Sequence, residues 1–185
     1  MGLTSRSSRD RFAARLARYR VPPRQAAARP GLTQVLERSM EESQEYRFKI
    51  SLRFRHPENE LSHCSTEFGL EPSRQWTFGK ERTSPRGNPL EGLWDASYWT
   101  TPLDIRPDED LETALVRIGQ WLKDHASFLA SHRNSGGSAA LFIGFFLEGF
   151  NTGFLLAPSL LEQYASLGVA LEFDLYGPEV PPAAL

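Results

Sequence analysis

His56, Glu60, His63 and Cys64 are residue types that ligate zinc or supply a thiolate nucleophile, and they fall within nine residues of one another. Their spacing works against both uses. On a helix, Leu61, Cys64 and Phe68 share one stripe while Glu60, His63 and Glu67 share the opposite one, so the candidate ligands diverge. Cys64 then reads as a buried thiol. His125 and His132 lie seven apart near the end of a helix, where a histidine commonly satisfies terminal carbonyls. No Ser-His-Asp order, nucleophile elbow, phosphate-binding glycine loop or zinc spacing occurs. Gly144, Gly149 and Gly153 do not follow a strand and open a helix, as a dinucleotide site requires. An unfamiliar hydrolase or transferase site would draw on Glu148, Glu172 and Asp174, the carboxylates near expected strand ends. The residues thus assign no catalytic, cofactor-binding or metal-binding position, and the reading leans away from an enzyme.

A second set has the chemistry of a binding surface. Trp76, Trp94, Tyr98, Trp99 and Tyr176, with Arg74 beside them, are the aromatic and guanidinium types enriched at interface hot spots. Core burial competes with that use, because tryptophan buries a large area wherever it is placed. The alternative is a groove in which some of these rings sit with Arg74 and the 79–92 loop, open to a partner or a small ligand. This group is the candidate site.

Positioning these residues requires a sheet. Tyr46 to Arg55 alternates, with Phe48, Ile50, Leu52 and Phe54 on one face and Arg47, Lys49, Ser51, Arg53 and Arg55 on the other, which predicts a half-buried strand. Pro57 suits a first helical position, and the Leu61, Cys64, Phe68 stripe ends at Gly69. Leu70 to Lys80 reads as extended, Thr83 to Gly92 as a loop, and Trp94 to Thr101 as a strand. Asp108 is the expected N-cap of the longest helix, about six turns ending at Asn134 to Gly137. Ala139 to Leu147 is a continuous apolar run expected to form a hairpin with Phe154 to Leu156. A helix over Pro158 to Gly168 and a strand over Val169 to Tyr176 complete the pattern.

The fold class is therefore α+β, a mostly antiparallel sheet with helices packed on one face. Its first six elements follow the ferredoxin-like order β-α-β-β-α-β, extended by β-α-β. The basic outer face of the first strand would pair with the acidic outer face of the last if the two were neighbours.

Around this domain, residues 1–45 read as an Arg-rich N-terminal arm, mobile and partly helical over Arg11 to Arg20, and residues 178–185 as a Pro-rich C-terminal tail. Residues 1–30 hold eight arginines and one acid, leaving 13 basic against 22 acidic residues in the rest, a basic arm on an acidic body. Clustered guanidiniums of this kind can contact nucleic acid. The single cysteine excludes an internal disulfide and suits a reducing compartment, and the longest apolar run is too short to span a membrane, so a cytoplasmic setting is expected.

Four stretches resemble the family catalogued as domain of unknown function 4279, found mostly in bacteria. They are FKISLRF (Phe48 to Phe54), FGLEPSRQWTFGK (Phe68 to Lys80), the strand with Trp94 and Trp99, and LGVALEFDLYG (Leu167 to Gly177). The resemblance covers about residues 47–177. The family places an acid directly after the glycine of the second stretch, whereas here Lys80 follows Gly79 and Glu81 is displaced by one. The resemblance implies an α+β domain with no established activity, cofactor or catalytic residue.

The expectation is a non-enzymatic protein-interaction module, with an immunity protein that binds a basic, toxin-like protein as its specific form, since the body is acidic. The alternatives are a small-ligand-binding or regulatory domain holding a metabolite beside Trp76 and Trp99, and an enzyme with an unrecognised site.

Overall fold

The structure is a computed structural model that describes residues 46–107, 109–147 and 153–177. The expected arm over residues 1–45, the expected tail over 178–185, Asp108 and Glu148 lie outside the described residues.

Alternation makes β1 (Tyr46–His56) a strand with one buried face, and it is the middle strand of the main sheet. Its inward side chains Ile50, Leu52 and Phe54 are buried, each contributing about 1.5–3 kcal/mol. A bend follows, and α1 (Ser62–Phe68) begins later than Pro57 suggests. The cause is His56, whose Nδ1 accepts from the backbone N–H of Glu58 at 3.0 Å and of Asn59 at 2.7 Å, holding both outside the helix. The expected stripe is otherwise present: Leu61, Cys64 and Phe68 are buried, and Gly69 ends the helix at φ 63°.

After β2 (Arg74–Trp76), the stretch expected to be a loop forms an exposed hairpin, β3 (Glu81–Thr83) and β4 (Pro89–Leu93). Its turn-rich sequence is real turn chemistry, closed by Ser84 and Asn88 with Gly87 at φ 82°. Trp94 is correspondingly outside the strand predicted for it. It continues the hairpin through bonds with Gly79 and Lys80, and β5 (Ser97–Leu103) starts three residues later.

The helix expected to run unbroken from Asp108 is two helices, α2 (Leu111–Asp124) and α3 (Ala126–Asn134). Asp110 is the cap, accepting from the Thr113 N–H at 2.8 Å. The break falls at His125, at φ −106° and ψ 16°, whose ring lies 4.6 Å from that of Phe68 and whose Nδ1 is 2.7 Å from a Glu67 carboxylate oxygen.

The apolar run forms β6 (Ser138–Leu147), but Phe154 to Leu156 is not a strand, so the expected hairpin is absent. Phe154 instead stacks on Phe145 at 4.9 Å and Phe173 at 5.3 Å. The chain passes through α4 (Pro158–Leu167) and returns as β7 (Val169–Tyr176), parallel to β6.

The sheet order is β2-β5-β1-β6-β7. The first four strands are antiparallel in the ferredoxin-like spatial order, and β7 adds a parallel edge. Helices pack on one face, as the sequence implies. Strands β1 and β7 are not neighbours, because β6 separates them. Even so, Arg53 crosses the Phe142 ring, its guanidinium carbon 3.4 Å from the centroid, and meets Glu172 at 3.2 Å. No helix among the described residues is long and apolar enough to cross a membrane.

Candidate binding surface

In a strand only alternate residues project to one face, about 7 Å apart. On β1 the outward set is Arg47, Lys49, Ser51, Arg53 and Arg55, a cationic row along the middle of the sheet face opposite the helices. The register then places Tyr98 beside Arg55 and Trp76 beside Tyr98, all on this face. Trp76 stacks on Tyr98 with centroids 4.3 Å apart and on Trp94 at the same distance. Arginines lie over both ends of this aromatic group, Arg55 5.6 Å from the Tyr98 centroid and Arg82 5.3 Å from that of Trp94. Arg74, two positions before Trp76 and so on the same face, is exposed opposite Thr100.

On the other flank, β6 turns Phe142 and Phe146 outward. Phe146 stacks on Tyr176 at 5.0 Å, and Lys49 lies 5.9 Å from its centroid. Tyr176 donates to Asp174, and that hydrogen bond raises the Tyr176 phenol above its ordinary range.

The six residues expected to form one groove are thus divided. Arg74, Trp76, Trp94 and Tyr98 come together at the β2 edge. Tyr176 sits at the β7 edge, four strand spacings or about 19 Å away. Trp99 belongs to the other face, fully buried, with its indole N–H donating to Ser65 Oγ at 3.0 Å. The alternation of β5 sends it inward opposite Phe54, so no side of Trp99 reaches a ligand. Phe142, Phe146 and the cationic row were not among the expected site residues. An unbroken apolar run conceals which of its phenylalanines face out; the polar alternation of its partner β1 is the signal that orders them.

Two depressions flank this surface, one lined by Arg47, Lys49 and Phe146 with neighbouring β1 residues, the other within the β3–β4 hairpin, and neither is an enclosed cavity.

The chemistry-bearing residues elsewhere are structural. Burial pushes the Cys64 thiol up to about 12, which leaves it un-ionised and inert. His56 bridges to the Ser135 carbonyl at 2.9 Å, His63 packs on Phe128, and Glu60 is exposed, so the four candidate ligands do not converge. Glu172 is engaged by Arg53 and Asp174 by Tyr176.

A family model described as domain of unknown function (DUF4279) matches residues 44–178, and the chain belongs to that family. Comparisons with curated proteins and with solved structures give no match.

Proposed function

We propose that this member of the DUF4279 family is a non-enzymatic interaction module of the cytoplasm whose working surface is the open face of its sheet. The observation that supports this reading is the cationic row of β1 set between two aromatic groups, with the helices all on the opposite side. Broad, shallow and rich in arginine and aromatic rings, it suits a macromolecular anionic partner better than a metabolite, which needs a concave site. The test is capture from native lysate by full-length protein and by an R55E/R74E variant, with Lys123→Glu on the helical side as a charge control. Retention of one stoichiometric anionic partner by wild type and K123E, with loss in R55E/R74E, supports the assignment. Equal recovery by all three counts against it.

A second reading rests on the helical side. Glu67, Glu112, Asp124 and Glu162 stand on the helices, and Glu58, Glu60 and Asp104 on adjoining loops, so the acidic excess lies away from β1. A basic, toxin-like protein would dock there, and the domain would then act as an immunity protein. Co-purification with the product of a neighbouring gene, weakened by D124K/E162K, is the expected result. Recovery of the domain alone, without protection against that product, would sink this reading.

A further inference from the structure

A strand with a neighbour on one side only leaves alternate backbone N–H and C=O groups unpaired on the other, a template on which a further strand can add. Strand β7 is such an edge. It pairs with β6 from Val169 to Tyr176 and, among the described residues, with no strand beyond. The opposite edge, β2, is only three residues long. Side chains on the inner face of β7 repeat this incompleteness. Leu171, Phe173 and Leu175 stand level with Leu141, Ile143 and Phe145 of β6. Those β6 residues are fully buried, whereas Leu171 and Phe173 are partly covered and Leu175 is 59% exposed. Phe154, stacked on Phe173, is exposed as well. One more strand would continue this apolar row.

The outer face of β7 decides which strand fits. It presents Glu172 and Asp174, of which Arg53 takes one oxygen of the first and Tyr176 one oxygen of the second. Antiparallel pairing with a second copy, centred on Phe173, would set Glu172 opposite the copy's Asp174, and like charges opposed across strands are destabilising. A strand alternating apolar and basic residues meets both rows instead, apolar side chains beside Leu171, Phe173 and Leu175, and cations beside Glu172 and Asp174. We propose that β7 is a strand-addition site for an extended segment of a partner protein, apolar on one face and basic on the other. Main-chain hydrogen bonds supply the affinity, and the two rows fix which face of the segment turns inward. This edge is separate from the open face and from the helical acids, so the assignment does not depend on either surface being occupied.

The probe is a labelled peptide of about ten residues that alternates lysine with valine, titrated with full-length protein at low salt. Anisotropy reads binding, and hydrogen exchange reads where the peptide lies. Saturable binding that slows exchange over Val169 to Tyr176 is the expected result. The same peptide with two adjacent central prolines, which cannot donate to a ladder, is expected to bind about tenfold more weakly. E172K/D174K is expected to weaken the lysine peptide about tenfold and to favour a glutamate–valine peptide, while D124K/E162K on the helices leaves binding unchanged. Should the reversal variant not fold, as judged by circular dichroism, E172Q/D174N replaces it and is expected to lose the preference for lysine over glutamate. Four results overturn the assignment: no saturable binding, binding that leaves β7 exchange unchanged, equal binding of the proline peptide, or undiminished binding by the β7 variant. Protection of β7 that appears without peptide and rises with protein concentration also overturns it, because a second copy would then be the occupant.

Discussion

Protonating His132 would place a charge among rings. Its imidazole lies 5.2 Å from the Phe54 ring and 5.8 Å from that of His56, and its Nε2 is 3.1 Å from the Arg55 carbonyl and 3.3 Å from that of Ser138. Burial lowers its pKa in the folded state, the two carbonyls oppose that shift in part, and His56 and His63 add to it. Between the lowered folded value and the unfolded value of about 6.5, the unfolded chain binds the extra proton, so stability must rise with pH across that window. Urea midpoints are therefore expected to be highest above pH 6.5 and to fall on acidification, with His132→Gln flattening the fall. A midpoint that rises on acidification would contradict this. The same ring limits Gly137. A Cβ there would sit 2.2 Å from His132 Nε2 and 2.3 Å from its Cε1, and a ring buried on both sides cannot yield. Gly137→Ala is expected to cost about 1–3 kcal/mol by overpacking, read from urea denaturation.

Capping decides where the helical layer begins. Asp110 accepts the Thr113 N–H, and Glu109 beside it takes two bonds from Arg117 at 2.9 and 2.8 Å, which hold its carboxyl below the usual range. Asp110→Ala is expected to cost about 1 kcal/mol, whereas Asp110→Asn should retain most of that cap energy, measured by thermal unfolding. Three acids in a row made Asp108 look equally suitable in the sequence, because capping preference alone does not say which residue turns into the helix. Periodicity was informative where one face is buried and the other solvated. It located β1, β7 and the α1 stripe almost to the residue. It failed where tertiary contacts decide: at His125, where contacts with Phe68 and Glu67 accompany a break in an otherwise continuous apolar pattern, and at Phe154, whose ring fills a space beside Phe145 and Phe173 rather than pairing as a strand. The binding surface was legible by half for the same reason. Residue type identified Trp76, Trp94, Tyr98 and Arg74, but only pairing register separates them from Trp99, one position from Tyr98 and on the opposite face.

At the scale of the whole molecule, stability should follow position in the sheet. Strand β1 is paired on both sides, by β5 over seven positions and by β6 over ten, and its inner face is sealed by the helices. Strand β7 is paired on one side, and β2 pairs over only three positions. The β3–β4 hairpin forms a separate two-stranded sheet, with every one of its strand residues exposed. An isolated two-stranded sheet is marginal in water, so its hydrogen bonds open without the core. Native-state hydrogen exchange should therefore be slowest at Ile50 to Phe54 and Leu141 to Phe145, near the free energy of global unfolding. It should be fastest in Glu81 to Thr83 and Pro89 to Leu93, with β7 between. The ordering also reports on association. Because Leu90 and Leu93 are large apolar side chains left exposed on that hairpin, protection there equal to that of β1 would mean that something covers them in solution. A second copy of the chain as that cover would make the protection rise with protein concentration, whereas hairpin amides that exchange fast at every concentration leave the hairpin an uncovered appendage of the sheet.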